Sequence, residues 1–166
     1  MRNIIAIPLL GLAVIVQTAI LGQLSLLNGV ADVTLVMLAA FALQERVTTA
    51  FHWAFLAALL FSLVSRLPWF VYFPAYFGTV FLALALQRRI WQVPMLAMFS
   101  VTLLATLLLQ SLSMLYLGLS GVAFSLADTL GLMTLPSVLL NLLIAIPIFG
   151  MMRDVARWVV GATEPA

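Results

Sequence analysis

The chain has no cysteine and no lysine, and charge of either sign is scarce: seven arginines, five acids and one histidine in 166 residues. Without cysteine there is no disulfide, no thiolate metal site and no cysteine nucleophile. One histidine and five acids leave little material for a metal centre, and neither paired carboxylates nor a Ser-His-Asp set is visible. Gly118, Gly121 and Gly131 are not followed by Lys-Ser or Lys-Thr, so no phosphate-cradling loop is present. Charged residues make up 7% of the chain, against about 25% in a soluble domain, too few to cover a water-facing surface. Apolar residues are abundant instead, at 66%, with a mean hydropathy of +1.26. The pI of 9.7 comes from arginines at the ends of apolar runs, not from a basic nucleic-acid face. These numbers point to an all-α, polytopic membrane protein.

The clearest run is Leu135 to Trp158. Pro136 suits a first helical turn, where its missing N–H has no partner in any case. Pro147 is expected to bend the run. Arg153, Asp154, Arg157 and Trp158 close it with a charged, aromatic end. The same grammar recurs along the chain. Span one covers about Asn3 to Leu21 and reads as a retained helix, since no small-x-small cleavage site follows it. Gly22 to Val30 is a break with Gln23, Ser25, Asn28 and Gly29 as turn-formers. Span two, about Asp32 to Leu43, reaches only ~18 Å as a helix, short of the ~30 Å hydrocarbon core. It extends upstream, enters only part-way, or thins the bilayer. Span three is Val47 to Ser65. Span four follows Arg66-Leu67-Pro68 and an interfacial aromatic cluster (Trp69, Phe70, Tyr72, Phe73, Tyr76, Phe77), and runs to Leu86. Span five is Val93 to Leu117. Gly118 to Thr134 is the longest loop, with Ser125 and Asp128 placed as a variant capping box and Leu126, Leu130 and Met133 on one face of a short surface helix. Six spans form a single domain over 1–160, with a short tail at 161–166.

The arginines test that count. Six spans put Arg2, Arg46, Arg88, Arg89, Arg153 and Arg157 on one side and Arg66 alone on the other. Positive charge marks the cytoplasmic side, so both termini are expected there, in a bacterial cytoplasmic membrane.

Three faces stand out. Ala50, Ala54, Ala58 and Ser62 recur every four residues in span three, beside a stripe of Phe51, Phe55 and Leu59. Thr102, Thr106, Gln110 and Ser113 lie at helical spacing in span five, and Ser137, Asn141 and Ala145 likewise in span six. Small and hydroxyl-bearing residues let membrane helices approach and hydrogen-bond. These faces meet each other, meet a partner chain, or enclose a polar pocket. His52, beside Trp53, and Gln17 read as packing or interface residues. All five acids (Asp32, Glu45, Asp128, Asp154, Glu164) fall at span ends or in loops, which speaks against an ion-coupled carrier. Arg153-Asp154-x-x-Arg157-Trp158, with Arg88 and Arg89, reads as a headgroup anchor or as a docking point for a cytoplasmic partner.

The Gly-x-x-Asp entry at Gly29 to Asp32, the Gln87-Arg88-Arg89 turn and the last span, Leu-Pro-Ser-x-Leu-Leu-Asn-Leu-Leu-x-x-x-Pro, resemble the MreD family of bacterial rod shape-determining proteins. Leu135, Pro136, Asn141, Pro147 and Arg153 carry the likeness. The resemblance implies a non-enzymatic role without a cofactor, inside the cell-wall elongation machinery. Its partners would be MreC, the glycosyltransferase RodA, a class B penicillin-binding transpeptidase and the MreB filament. It also implies a bundle similar to the substrate-binding subunits of energy-coupling-factor transporters. Such a vitamin-binding subunit is the alternative function. That class usually carries an Ala-x-x-x-Ala pair in its first helix, where Ala6, Ala13 and Ala19 are not four apart; Ala50 and Ala54 have the spacing in span three. A lipid-handling enzyme or flippase is a third idea and lacks acids where its chemistry would occur.

Overall fold

The computed structural model describes residues 6–21, 28–44, 47, 49–65, 67–88, 93–122 and 125–160, and those residues form helices and connections with no strand. Helix α1 spans Ala6–Val16 and continues as a π-helical turn, Gln17–Leu21. Then come α2 (Val33–Ala42), α3 (Ala50–Val64), α4 (Trp69–Gln87) and α5 (Pro94–Leu119). A short α6 (Leu126–Thr129) runs through a π-helical stretch, Leu130–Thr134, into α7 (Leu135–Val160). Local chemistry sets the boundaries. Pro94 opens α5 at its first turn, where its fixed φ suits a helix. Gly121, at φ +76°, takes the left-handed conformation that stops α5 and turns the chain. Arg2, Glu45, Arg46, Arg66, Arg89, Glu164, the turn-formers Gly22 to Ser25 and the 161–166 tail lie outside the described residues.

Three helical stretches are long and apolar enough to cross a membrane: Trp69–Gln87, Pro94–Leu119 and Ala127–Val159. The apolar helices Ala6–Ala19, Val33–Ala42 and Ala50–Val64 are shorter. The short surface helix expected in the loop before the last span is corrected here. Residues 126–134 are helical but run without a break into α7. The loop was apolar enough to continue the helix, and only residues 120–125 separate it from α5. Ser125 does start it, its hydroxyl accepting from the Asp128 N–H at 3.4 Å. Leu130 and Met133 face outward. Helix α7 passes through Pro147 uninterrupted.

Helix α2 is the centre. Every residue of it after Val33 is buried, packed by α7, α4, α5, α3 and α1. The three options for the short second span are thereby narrowed. Residues 28–32 are not helical, so α2 does not extend upstream through them. It starts inside the bundle as a half-length helix, which costs nothing in exposed backbone because other helices surround it.

Around α2 the aromatic side chains make a second layer. Phe41 stacks on Trp53 with centroids 4.0 Å apart. Phe61 of α3 packs on Tyr72 and Tyr76 of α4. In α3, Ala50, Ala54, Ala57 and Ala58 face this core, while Phe51, Phe55, Leu59 and Leu63 face outward.

Candidate functional site

The site begins with a missing hydrogen. Pro136 has no N–H, so the Leu132 carbonyl one turn earlier loses its normal helical donor. The Asn28 N–H takes that place, 3.0 Å from the Leu132 oxygen. Two residues on, the Val30 N–H donates to the Ser137 hydroxyl at 3.1 Å. Two further on, the Asp32 N–H donates to Asn141 Oδ1 at 2.6 Å. An extended chain advances about 6.6 Å per two residues, and four residues of helix advance about 6 Å. The non-helical segment therefore keeps step with successive turns of α7, running parallel to it, and every second N–H finds a partner. Gly29 makes the approach possible. A Cβ there would lie 2.6 Å from Pro136 Cβ and from the Ser137 nitrogen.

Asp32 then caps α2, its Oδ1 accepting from the Leu35 N–H at 2.8 Å. The Gln17 amide and the Tyr76 hydroxyl lie beside the same carboxyl. Gln17 Oε1 also accepts from the Thr34 N–H at 3.3 Å. The Tyr76 hydroxyl is buried and closes no hydrogen bond of good geometry. On the far side, Asn141 Nδ2 donates to the Thr106 hydroxyl at 2.9 Å, and Thr106 donates to the Thr102 carbonyl. Four helical elements thus converge on residues 28–34, namely the turn after α1, α4, the 130–134 stretch and α7, and α5 joins through Asn141.

The position of Asp32 corrects the sequence reading, which put it at a span end. Asp32 is only 7% exposed. It lies level with Tyr76 and Asn141, well inside α4 and α7. At the other end of α2, Gln87 Nε2 donates to the Leu43 and Gln44 carbonyls at 3.3 and 3.1 Å. Asp32 to Leu43 and Tyr76 to Gln87 are equal steps along parallel helices, about 16 Å at 1.5 Å per residue. The same step along α7 leads from Asn141 to buried Met152, next to Arg153. Sequence alone equates the start of an apolar helix with a surface. A half-helix that begins inside the bundle breaks that equation.

The other expected residues divide cleanly. Ala50, Ala54 and Ala58 are buried against this chain's own helices, and Ser62 is half-exposed, bonded back to the Leu59 carbonyl. Thr102, Thr106, Ser137 and Asn141 are buried at the junction. Gln110 and Ser113 are half-buried, further along α5. Arg88, Arg153 and Arg157 are exposed at the Leu43 end, and Arg157 pairs with Asp154 at 3.7 Å in solvent. Arg89 lies outside the described residues. His52 is exposed beside Phe51 and Phe55. Among the described residues no three His, Cys, Asp or Glu side chains gather as metal ligands. Sequence reasoning missed Tyr72, Tyr76 and Ser65, having assigned the tyrosines to an interfacial belt. Their four-residue spacing, which puts both on one face of α4, was the available signal.

Comparison of the chain with protein-family models, with curated proteins and with solved structures finds no match. The resemblance to MreD therefore rests on the sequence pattern alone.

Proposed function

We propose that this chain is a non-enzymatic, multi-pass membrane subunit that works by contacting other membrane proteins, in the manner of MreD in the cell-wall elongation machinery. One observation carries the reading. The strongest polar side chains of the interior, Asn141, Ser137, Gln17 and Asp32, are engaged in pinning α2 and its entry segment, and the outward surface is a broad apolar face with an arginine-bearing end. Leu139, Leu143 and Ile146 of α7, Phe51 and Phe55 of α3 and Leu103 of α5 all face outward, as expected of helices bathed in lipid or covered by other helices. The chain then crosses a bacterial cytoplasmic membrane with the half-helix as one of its six apolar elements. Arg88, Arg153 and Arg157 lie together on the cytoplasmic side with both termini. Partners of this role are MreC, RodA, a class B penicillin-binding transpeptidase and MreB.

A second reading, a solute-binding membrane subunit of the vitamin-transporter kind, is favoured by the broken helix and buried carboxyl, a combination common at transport sites. Purification of the full chain from native membranes in mild detergent separates the two. Recovery of MreC with the wall synthases supports the first. Recovery of an ATPase pair with a bound small molecule supports the second and refutes the first.

A further inference from the structure

We infer that Asp32 is a proton-binding carboxyl reached from one end of the bundle only, through the hydroxyls of Tyr76, Tyr72 and Ser65. This rests on the reading that the bundle spans a membrane, which gives its two ends separate aqueous phases.

The path is laid out in the packing. Next to the Asp32 carboxyl stands the Tyr76 hydroxyl, buried and without a hydrogen-bond partner of its own. One helical turn back along α4 lies Tyr72, its ring centroid 5.8 Å from that of Tyr76. The Tyr72 hydroxyl is hydrogen-bonded to the Ser65 hydroxyl. Ser65 ends α3 in the half-exposed turn before Pro68, where it also accepts from the Leu67 N–H at 3.3 Å. In the opposite direction, toward Leu43 and Arg153, the buried hydroxyls of Thr79, bonded back to the Ala75 carbonyl, and Thr102 reach about one turn further, and beyond them the centre of the bundle is closed by buried apolar side chains: Leu38, Phe41, Ala83, Met98 and Met152. Hydroxyls thus lead inward from the Ser65 end, and a dry plug separates Asp32 from the arginine end.

The neighbours of the carboxyl are polar but uncharged. Gln17 faces it from α1, Tyr76 and Tyr72 from α4, and Asn141 of α7, bonded to Thr106 of α5, holds its backbone. Phe61, which α3 packs on both tyrosines, does not titrate. Among the described residues no arginine, histidine or second acid reaches it. A carboxylate held at mid-depth without a counter-cation has one small neutralising partner always at hand, the proton. In the exchange, hydronium at the Ser65 end gives up a proton and leaves water. Ser65 and Tyr72 pass a proton along their hydrogen bond, the unpartnered Tyr76 hydroxyl turns to relay it from Tyr72, and the oxygen of Asp32 not held by Leu35 N–H becomes protonated. The cap on α2 survives in both states, so the site binds and releases without unfolding the half-helix.

The test uses the full chain in sealed vesicles. Trypsin cleavage after Arg153 and Arg157 reports which end faces outward, and cleavage indifferent to sealing would refute the membrane reading itself. The pH is then set independently on the two sides. Asp32 is probed with dicyclohexylcarbodiimide, an apolar reagent that adds to protonated carboxyls, and the adduct is quantified by mass spectrometry. The expected result is labelling that rises as the pH falls on the Ser65 side and ignores the pH on the arginine side. Tyr72→Phe with Tyr76→Phe should slow the response to a pH jump about tenfold. Labelling that follows the arginine side or both sides, no labelling of Asp32 at any pH, or a double Phe variant as fast as the native chain would each overturn the proposal. Should that variant fail to fold, the native chain still decides it.

Discussion

At the scale of single residues, one proline in α7 determines how another part of the chain enters the bundle. Pro136 frees the Leu132 carbonyl, and Asn28 occupies it. Gly29 permits the approach, because the atoms a side chain would meet are the Ser137 backbone and the Pro136 ring, neither of which can swing aside. Gly29→Ala should therefore destabilise the protein by about 1–3 kcal/mol, the usual cost of overpacking, seen as a lowered Tm in detergent. Asn141 ties the Asp32 N–H to the Thr106 hydroxyl. A double-mutant cycle between Asn141→Ala and Thr106→Ala should give a coupling of about 0.5–2 kcal/mol, the range of hydrogen bonds between membrane helices. A coupling near zero would remove that bond from the account. Asn141 was visible in the sequence as part of a polar stripe. The role of Gly29 was not: a turn glycine and a close-contact glycine look the same until the opposing backbone is known.

Among the helices, α3 shows what periodicity reveals and what it hides. The alanine stripe and the phenylalanine stripe were both legible at four-residue spacing. The alanine stripe also read as a packing face, because small residues let membrane helices approach; whether it meets this chain's own helices or a partner was not legible. The structure turns Ala54 and Ala58 to the core and Phe55 and Leu59 outward. Ala58→Leu should accordingly cost about 1–3 kcal/mol, whereas Phe55→Ala should change stability by no more than about 0.5 kcal/mol, both read from thermal unfolding. Comparable losses at the two positions would mean that the outward face is already covered. Helix α2 was legible as an apolar segment too short to cross. Its depth was illegible because a hydropathy pattern records which residues avoid water, not where along a neighbour the segment begins. The same blindness separated residues 126–134 from α7, although the two form one continuous helical run.

For the whole molecule, charge and packing agree. The Gln87 bonds to Leu43 and Gln44 hold the ends of α2 and α4 together, and Arg88 lies there with Arg153 and Arg157 farther along α7. If this end docks a cytoplasmic partner, the combined Arg88→Glu, Arg153→Glu and Arg157→Glu exchange should lower partner co-purification several-fold at an unchanged level of the chain in the membrane. Loss of the chain from the membrane would instead mark the arginines as insertion determinants. The account depends most on a half-helix that starts deep inside the bundle, and the absence of native cysteine makes that depth measurable. A nitroxide on Val33→Cys in lipid nanodiscs should collide with oxygen far more often than with an aqueous nickel chelate, as one on Leu143→Cys, outward-facing in α7, should. Nickel collisions as frequent as at Arg88→Cys would place the start of α2 at the membrane surface and contradict it.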